Sequence, residues 1–435
     1  MKRLGNHELG QITVLFVLGI IALFGAAALA IDGGHLYFKR REAQSAADDA
    51  AMTGALAIVR GYSNLEIGAI ALNRALENGF DASDENVSVE VYWPPKEPNP
   101  YAGDWNHIQV IITSEIPSTF AHLVFNGPLK VTVEAVAHAV PSDELVPGYA
   151  IFGSNSSACR TLVFSGNPIV DVNGGGSVGS NSDAACDCDP EGKGGSGVNE
   201  GKIRVLVNGG GEITAAGCWG GYGTAGVIKP KPEEGVEQFD MEKLERRIPI
   251  PYCGNLPQYG PSSFNGEATI SPGVYESLKF NAGADVTLKP GLYCIFGSDP
   301  WTVETKGGST IRGDGVMFYL MSTAGGWKSA GGSQIYLNAP TDFQDAVGNQ
   351  WAGMLIYAHP DNENDIILTG TSNSWFEGSV IATGSHCDVE GNGGAVAFKT
   401  QVLCDTVRVN GTGDLDLFYE QERNYHYPAT VELSK

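Results

Sequence analysis

The residues best equipped for chemistry are eight cysteines, Cys159, Cys186, Cys188, Cys218, Cys253, Cys294, Cys387 and Cys404. None falls in the first third of the 435-residue chain. An even number confined to an acidic, Gly-rich region predicts disulfides in an oxidising compartment, and no C-x-x-C spacing supports zinc. Cys253 and Cys294 bracket a return to strand-like sequence and are paired on that ground. Cys387 and Cys404 lie on or near neighbouring strand-like runs. The remaining connectivity stays open.

Other chemistry has weaker markers. Asp187-Cys188-Asp189-Pro190-Glu191-Gly192 matches the first half of a calcium loop, but the twelfth position is Val198 and Glu200 comes two residues late. A solvated, disulfide-tied acidic turn is the favoured reading. Asp361, Glu363 and Asp365 form a second acidic cluster, with Ile366 where a turn glycine should stand. His386 beside Cys387 suggests a nucleophile pair, yet neighbours on a strand point to opposite faces. Gly175-Gly176-Ser177-Val178-Gly179 spells G-x-S-x-G without the following helix that a nucleophile elbow needs. Asp171, Asp314 and Asp388 are candidate carboxylates for polysaccharide cleavage, and Trp219, Tyr222, Trp301, Trp327, Trp351 and Trp375 for a sugar-stacking surface. For each aromatic the competing role is core filling. His107, His122 and His138 lack metal-ligand spacing. No catalytic residue, metal or other cofactor is expected.

These residues must be held by a chain of three textures. Residues 11–31, QITVLFVLGIIALFGAAALAI, carry no charge. As a helix they rise ~31 Å, the thickness of a hydrocarbon core. Gln11, Val17, Ile21, Ala26 and Ile31 mark this expected membrane segment. Residues 1–10 would be a cytoplasmic N-terminus. Ala28-Leu29-Ala30 also fits a cleaved signal peptide, but the apolar run exceeds the usual h-region and Glu8 precedes it. Basic residues flank both ends, so orientation rests on the cysteines, which place the bulk outside the cell membrane.

Over 32–60 the helical pattern continues, with Ala43, Ala46, Ala47, Ala50 and Ala51 forming a stripe of small residues. Such a stripe packs another helix, from a partner or from its own domain. A small α/β domain is predicted over 61–141. It comprises a helix over Leu65–Phe80 with Leu65, Ala69, Leu72 and Leu76 on one face, a short helix over Ser118–Phe125, and strands at Val87–Tyr92, His107–Thr113 and Leu129–Ala139.

From 142 to 435 short apolar runs alternate with Gly, Asn, Asp and Ser. Their recurrence predicts a mainly-β domain, a right-handed parallel β-helix (solenoid) tied by disulfides, with a β-sandwich as the alternative. Tyr222–Pro261, rich in X-Pro, reads as an excursion loop. Of 435 residues 58 are Gly and only 18% are charged, while 42% hydrophobic content excludes wholesale disorder. A net charge of −23 would repel a phosphate backbone, which argues against nucleic acid.

The N-terminal segment resembles the Flp (tight-adherence) pilus-assembly TadE/TadG-like proteins. The resemblance runs through Gly10-Gln11, Ala30-Ile31-Asp32, the aromatic and basic stretch Tyr37–Arg41, and Gln44-Ser45-Ala46-Ala47-Asp48-Asp49-Ala50-Ala51. It covers about fifty residues of the 435. It implies a single-pass membrane protein of pilus assembly, non-catalytic, partnered by the cytoplasmic membrane and by other pilus-assembly or pilin-like proteins through the N-terminal helix. The D-x-S-x-S metal site of larger relatives is absent from the sequence. The competing expectation is a surface adhesin, or a polysaccharide-binding or -cleaving β-helix, sharing only the anchor and taking a glycan as partner.

Overall fold

The computed structural model describes residues 9–120, 127–184, 186, 188, 194–221, 226–371, 374–392 and 396–434. The chain divides into two compact units, one formed by 1–142 with 429–435 and the other by 143–428. The final residues return to the first unit rather than ending in the second.

In the first unit the expected anchor and Ala-rich helix are one uninterrupted helix, α1, Leu9–Val59, of 51 residues. No proline interrupts it, and it stops at Gly61, whose φ of 73° is the left-handed conformation of a C-terminal cap. Helix α2 spans Asn64–Glu77 and opens with a capping box in which Ser63 donates to Glu66 from both its backbone and its hydroxyl. It buries Ile67, Ala71 and Ala75, while Leu65 is 88% exposed. The leucine face expected from the sequence therefore points outward. The alanine face wins because small side chains let α2 approach the alanines of α1.

Strands β1 (Val87–Tyr92), β2 (His107–Ile116) and β3 (Leu129–Val140) form an antiparallel meander. The C-terminal strand Thr430–Ser434 adds to the free edge of β3, pairing Ala137 with Leu433 and Val140 with Thr430. The helix expected over Ser118–Phe125 lies mostly outside the described residues.

The second unit is mainly β, and its two large sheets pair in parallel. That pairing excludes a sandwich of antiparallel hairpins for them. Most of these strands pair in parallel with a strand that is near but not adjacent in the chain, and apolar residues form ladders. One inward ladder runs Ile270, Leu288, Gly313, Leu337, Phe376, Phe398, Leu417, Val172, Val207. Its apolar members belong to one continuous core. Stacking order is not chain order. Leu415–Phe418 pairs with Ile169–Asn173, a strand from the beginning of the unit, joining an early run of strands to a late one at a seam.

The X-Pro segment is shorter than the predicted loop over 222–261. Val227–Lys229 and Glu233–Glu234 still pair in the sheets, and strand structure resumes at Gln258. Edge strands tolerate nearby prolines because one side of their backbone needs no partner. Between them lies only a five-residue helix, Met241–Glu245.

Candidate membrane anchor and helix-packing site

Helix α1 has two environments along one axis. Its N-terminal half exposes the apolar residues selected from the sequence: Val17, Ile21 and Ile31 are 49%, 61% and 53% exposed, and Ala26 is exposed as well. An apolar stretch long enough to cross a membrane, none of it buried, is present in this helix. Gln11 lies within the helix near its start.

The C-terminal half is buried instead. Ala43, Ala46, Ala47, Ala50 and Ala51 have essentially no exposure and pack in a core with Ile67, Ala71 and Ala75 of α2, and with Ile108, Val110 and Val133 of the sheet. The stripe is therefore occupied by its own domain and is not available to a partner. Gly54 extends it beyond the residues picked out from the sequence. A Cβ there would stand 2.5 Å from Ile108 Cδ1 and 3.3 Å from Ala71 Cβ. Its spacing from Ala50 and Ala51 on a helix is the signal that would have found it. Gln44 fixes the helix to the sheet by donating to the Glu134 carbonyl at 3.0 Å.

Asp32 joins the two halves. It is buried, and its carboxylate accepts the backbone N–H groups of Thr119 at 2.9 Å and Phe120 at 2.8 Å. Two donors of the β2–β3 connection are thereby satisfied by a charged acceptor. The sequence placed Asp32 at the end of the apolar run but offered no sign of its partners.

The other sequence candidates do not converge. Asp388 receives a bidentate pair of hydrogen bonds from Arg408. Asp171 stands opposite Asp416 on a different sheet, and Asp314 accepts from Asn338. Burial opposes the charge of Asp388, but hydrogen bonds from His386 and Arg408 outweigh it and hold the carboxyl below its ordinary range. Trp219, Trp327 and Trp351 are buried and Trp301 is half-buried, leaving Trp375 exposed. Trp219, Trp327 and Trp351 therefore fill core and are withdrawn from any sugar-stacking surface. Tyr222, His122 and the acidic loop residues Asp187 and Asp189–Gly192 lie outside the described residues.

Ser177 sits on a strand and accepts from the Glu212 N–H, as a structural residue would. Asp361, Glu363 and Asp365 are exposed, and no cluster able to hold a metal occurs among the described residues. His107 and His138 stack at 4.5 Å, with their Nδ1 atoms on Asp104 and Glu432.

All eight cysteines form disulfides: Cys159–Cys186, Cys188–Cys218, Cys253–Cys294 and Cys387–Cys404. The bond at Cys387 removes the thiol that a Cys–His pair would need.

No curated protein matches the chain. Among solved structures, the crystal structure of competence-associated pilin ComZ from Thermus thermophilus aligns at 10% identity, covering 91% of this chain and 98% of that one. Its TM-score of 0.23 is too low to bear on the fold. The informative match is local: residues 10–57, nearly all of α1, fit the family model described as Flp pilus-assembly TadE/G-like.

Proposed function

We propose that this chain is a non-catalytic, single-pass membrane protein of Flp-type pilus assembly. In this reading residues 11–31 cross the cytoplasmic membrane with the N-terminus inside, and both folded units stand on the extracytoplasmic side. The carrying observation is that one unbroken helix is fully exposed and apolar over its first half and packed into a domain core over its second. The family match over the same residues supports it. Four disulfides in the second unit favour an oxidising location for the bulk of the protein.

We further propose that the second unit is a right-handed parallel β-helix. Parallel pairing between successive repeats and continuous inward ladders support a solenoid, and parallel crossovers are overwhelmingly right-handed. It would serve as a rigid extracytoplasmic body for contacts with other pilus-assembly proteins.

The test is genetic and visual. Cells lacking the chain should lose surface fibres, and the full chain should restore them. A version whose residues 11–31 are exchanged for a cleaved secretion signal should not. Normal fibre numbers without the chain would sink the assignment.

A further inference from the structure

An apolar groove of about 790 Å³ runs beside α1 in the first unit. Ile21, Phe24, Ala28 and Leu36 form its helix wall, and Phe120 and Leu129 stand opposite. The wall residues Ile21, Phe24 and Ala28 belong to the segment read above as the span, so the groove is continuous with the lipid-facing surface. From Ile21 to Asp32 the helix rises ~16 Å, about half of a ~30 Å hydrocarbon core. The groove therefore lies at the depth of one leaflet.

Asp32 fixes the level of the opposite wall. Its two hydrogen bonds hold the Thr119–Phe120 backbone at the end of the apolar run, and Phe120 is 38% exposed there. Beyond Asp32, Tyr37 and Phe38 are exposed, followed by exposed Arg40 and Arg41. Aromatic rings and then long cationic side chains are the order expected on passing from hydrocarbon through the interface to headgroup phosphates.

We propose that this groove takes an acyl chain from the leaflet facing the first unit, and that the Thr119–Phe120 turn is a second, interfacial contact with the bilayer. This deepens the assignment of α1 as a membrane span and rests on it. The occupant is lipid because the helix wall, from Ile21 to Leu29, is part of the apolar surface that the span itself presents to hydrocarbon. The contact would fix the domain's tilt and height above the membrane, which a single helix leaves free to rotate.

The full chain would be reconstituted in vesicles of phosphatidylethanolamine and phosphatidylglycerol containing a phosphatidylcholine with a diazirine on its acyl chain. After photolysis, adducts would be mapped by mass spectrometry. The expected result is labelling along α1, including Leu23 on the far side, together with labelling of Phe120 and Leu129. Labelling of Leu23 without Phe120 or Leu129 would overturn the groove and leave the span standing. Labelling of Leu23 with Ile21, Phe24 and Ala28 protected would also overturn it, by showing a protein occupant. No label on α1 at all would remove the span, and the groove with it.

Discussion

Arg408 lies across one strand boundary from Asp388 and grips it with two hydrogen bonds, Nε to Oδ1 at 2.6 Å and Nη2 to Oδ2 at 2.8 Å. The carboxylate is nearly buried while the guanidinium is half exposed. Asp388 was a candidate catalytic acid in the sequence; in the fold it is one half of a planar clamp between parallel strands. Arg408→Ala should destabilise the second unit by about 1.5–3 kcal/mol, since it removes two charge-assisted hydrogen bonds from a nearly buried carboxylate. Arg408→Lys should recover only part of this, because an ammonium cannot reproduce the fork. Chemical denaturation of the three proteins would decide it, and equal stabilities would show that the clamp is inert.

Asp345 predicts an acid-sensitive loop. Burial raises its pKa, but N–H groups of Tyr252 and Asn349 and the Trp351 indole donate to it and hold the carboxyl below its ordinary range. A depressed folded pKa means that the stabilisation is present above the unfolded value and is lost as pH falls through the folded one. Asp345→Asn should therefore cost stability at neutral pH and narrow the gap to the native protein under acid conditions. Melting temperatures across a pH series would show the two curves converging.

Asp416 should behave in the opposite way. Burial, then Asp171 and Asp414, raise the pKa of Asp416. A raised folded pKa means that the ionised Asp416 carboxylate weakens the fold as pH rises through it. Asp416→Asn should thus stabilise the second unit at neutral pH by about 0.5 kcal/mol, the scale of like charges placed opposite one another. Loss of stability at neutral pH would show that the carboxylate has a favourable role.

Gly54 predicts a steric threshold. Gly54→Ala sets a helix-propensity gain of about 1 kcal/mol against contact with the movable tip of Ile108, and should be close to neutral. Gly54→Val should cost about 1–3 kcal/mol by overpacking against Ala71 and Ile108. Hydrogen exchange along α2 would report the loosening.

Denatured protein should titrate no free thiol before reduction and eight after it, as the four bonds require. Joint replacement of Cys387 and Cys404 by Ala removes a crosslink with a sequence separation of 17, and should cost about 3 kcal/mol in the chain-entropy account.

What could be read from the sequence was local. The apolar run, the alanine stripe and the bounds of Val87–Tyr92 follow from periodicity, and periodicity is written in consecutive residues. The burial of α2 was misread because leucine outranks alanine in hydrophobicity, whereas close helix packing rewards small size. The tryptophans were ambiguous because the same ring fills a core or makes a surface platform. The partners of Asp32 and the pairing of Val172 with Leu417 depend on segments far apart in the chain, for which no local pattern exists.

That last pairing bears on how the protein is made. A ribosome emits Ile169–Asn173 long before Leu415–Phe418, so the earlier strand waits with an unfilled edge until almost the whole second unit exists. The strand Thr430–Ser434 imposes the same delay on β3. Both units thus depend on strands made late for an early sheet edge to be covered. A product truncated before 415 leaves the edges of Ile169–Asn173, Val396–Lys399 and β3 open, and proteases and aggregation recognise such edges.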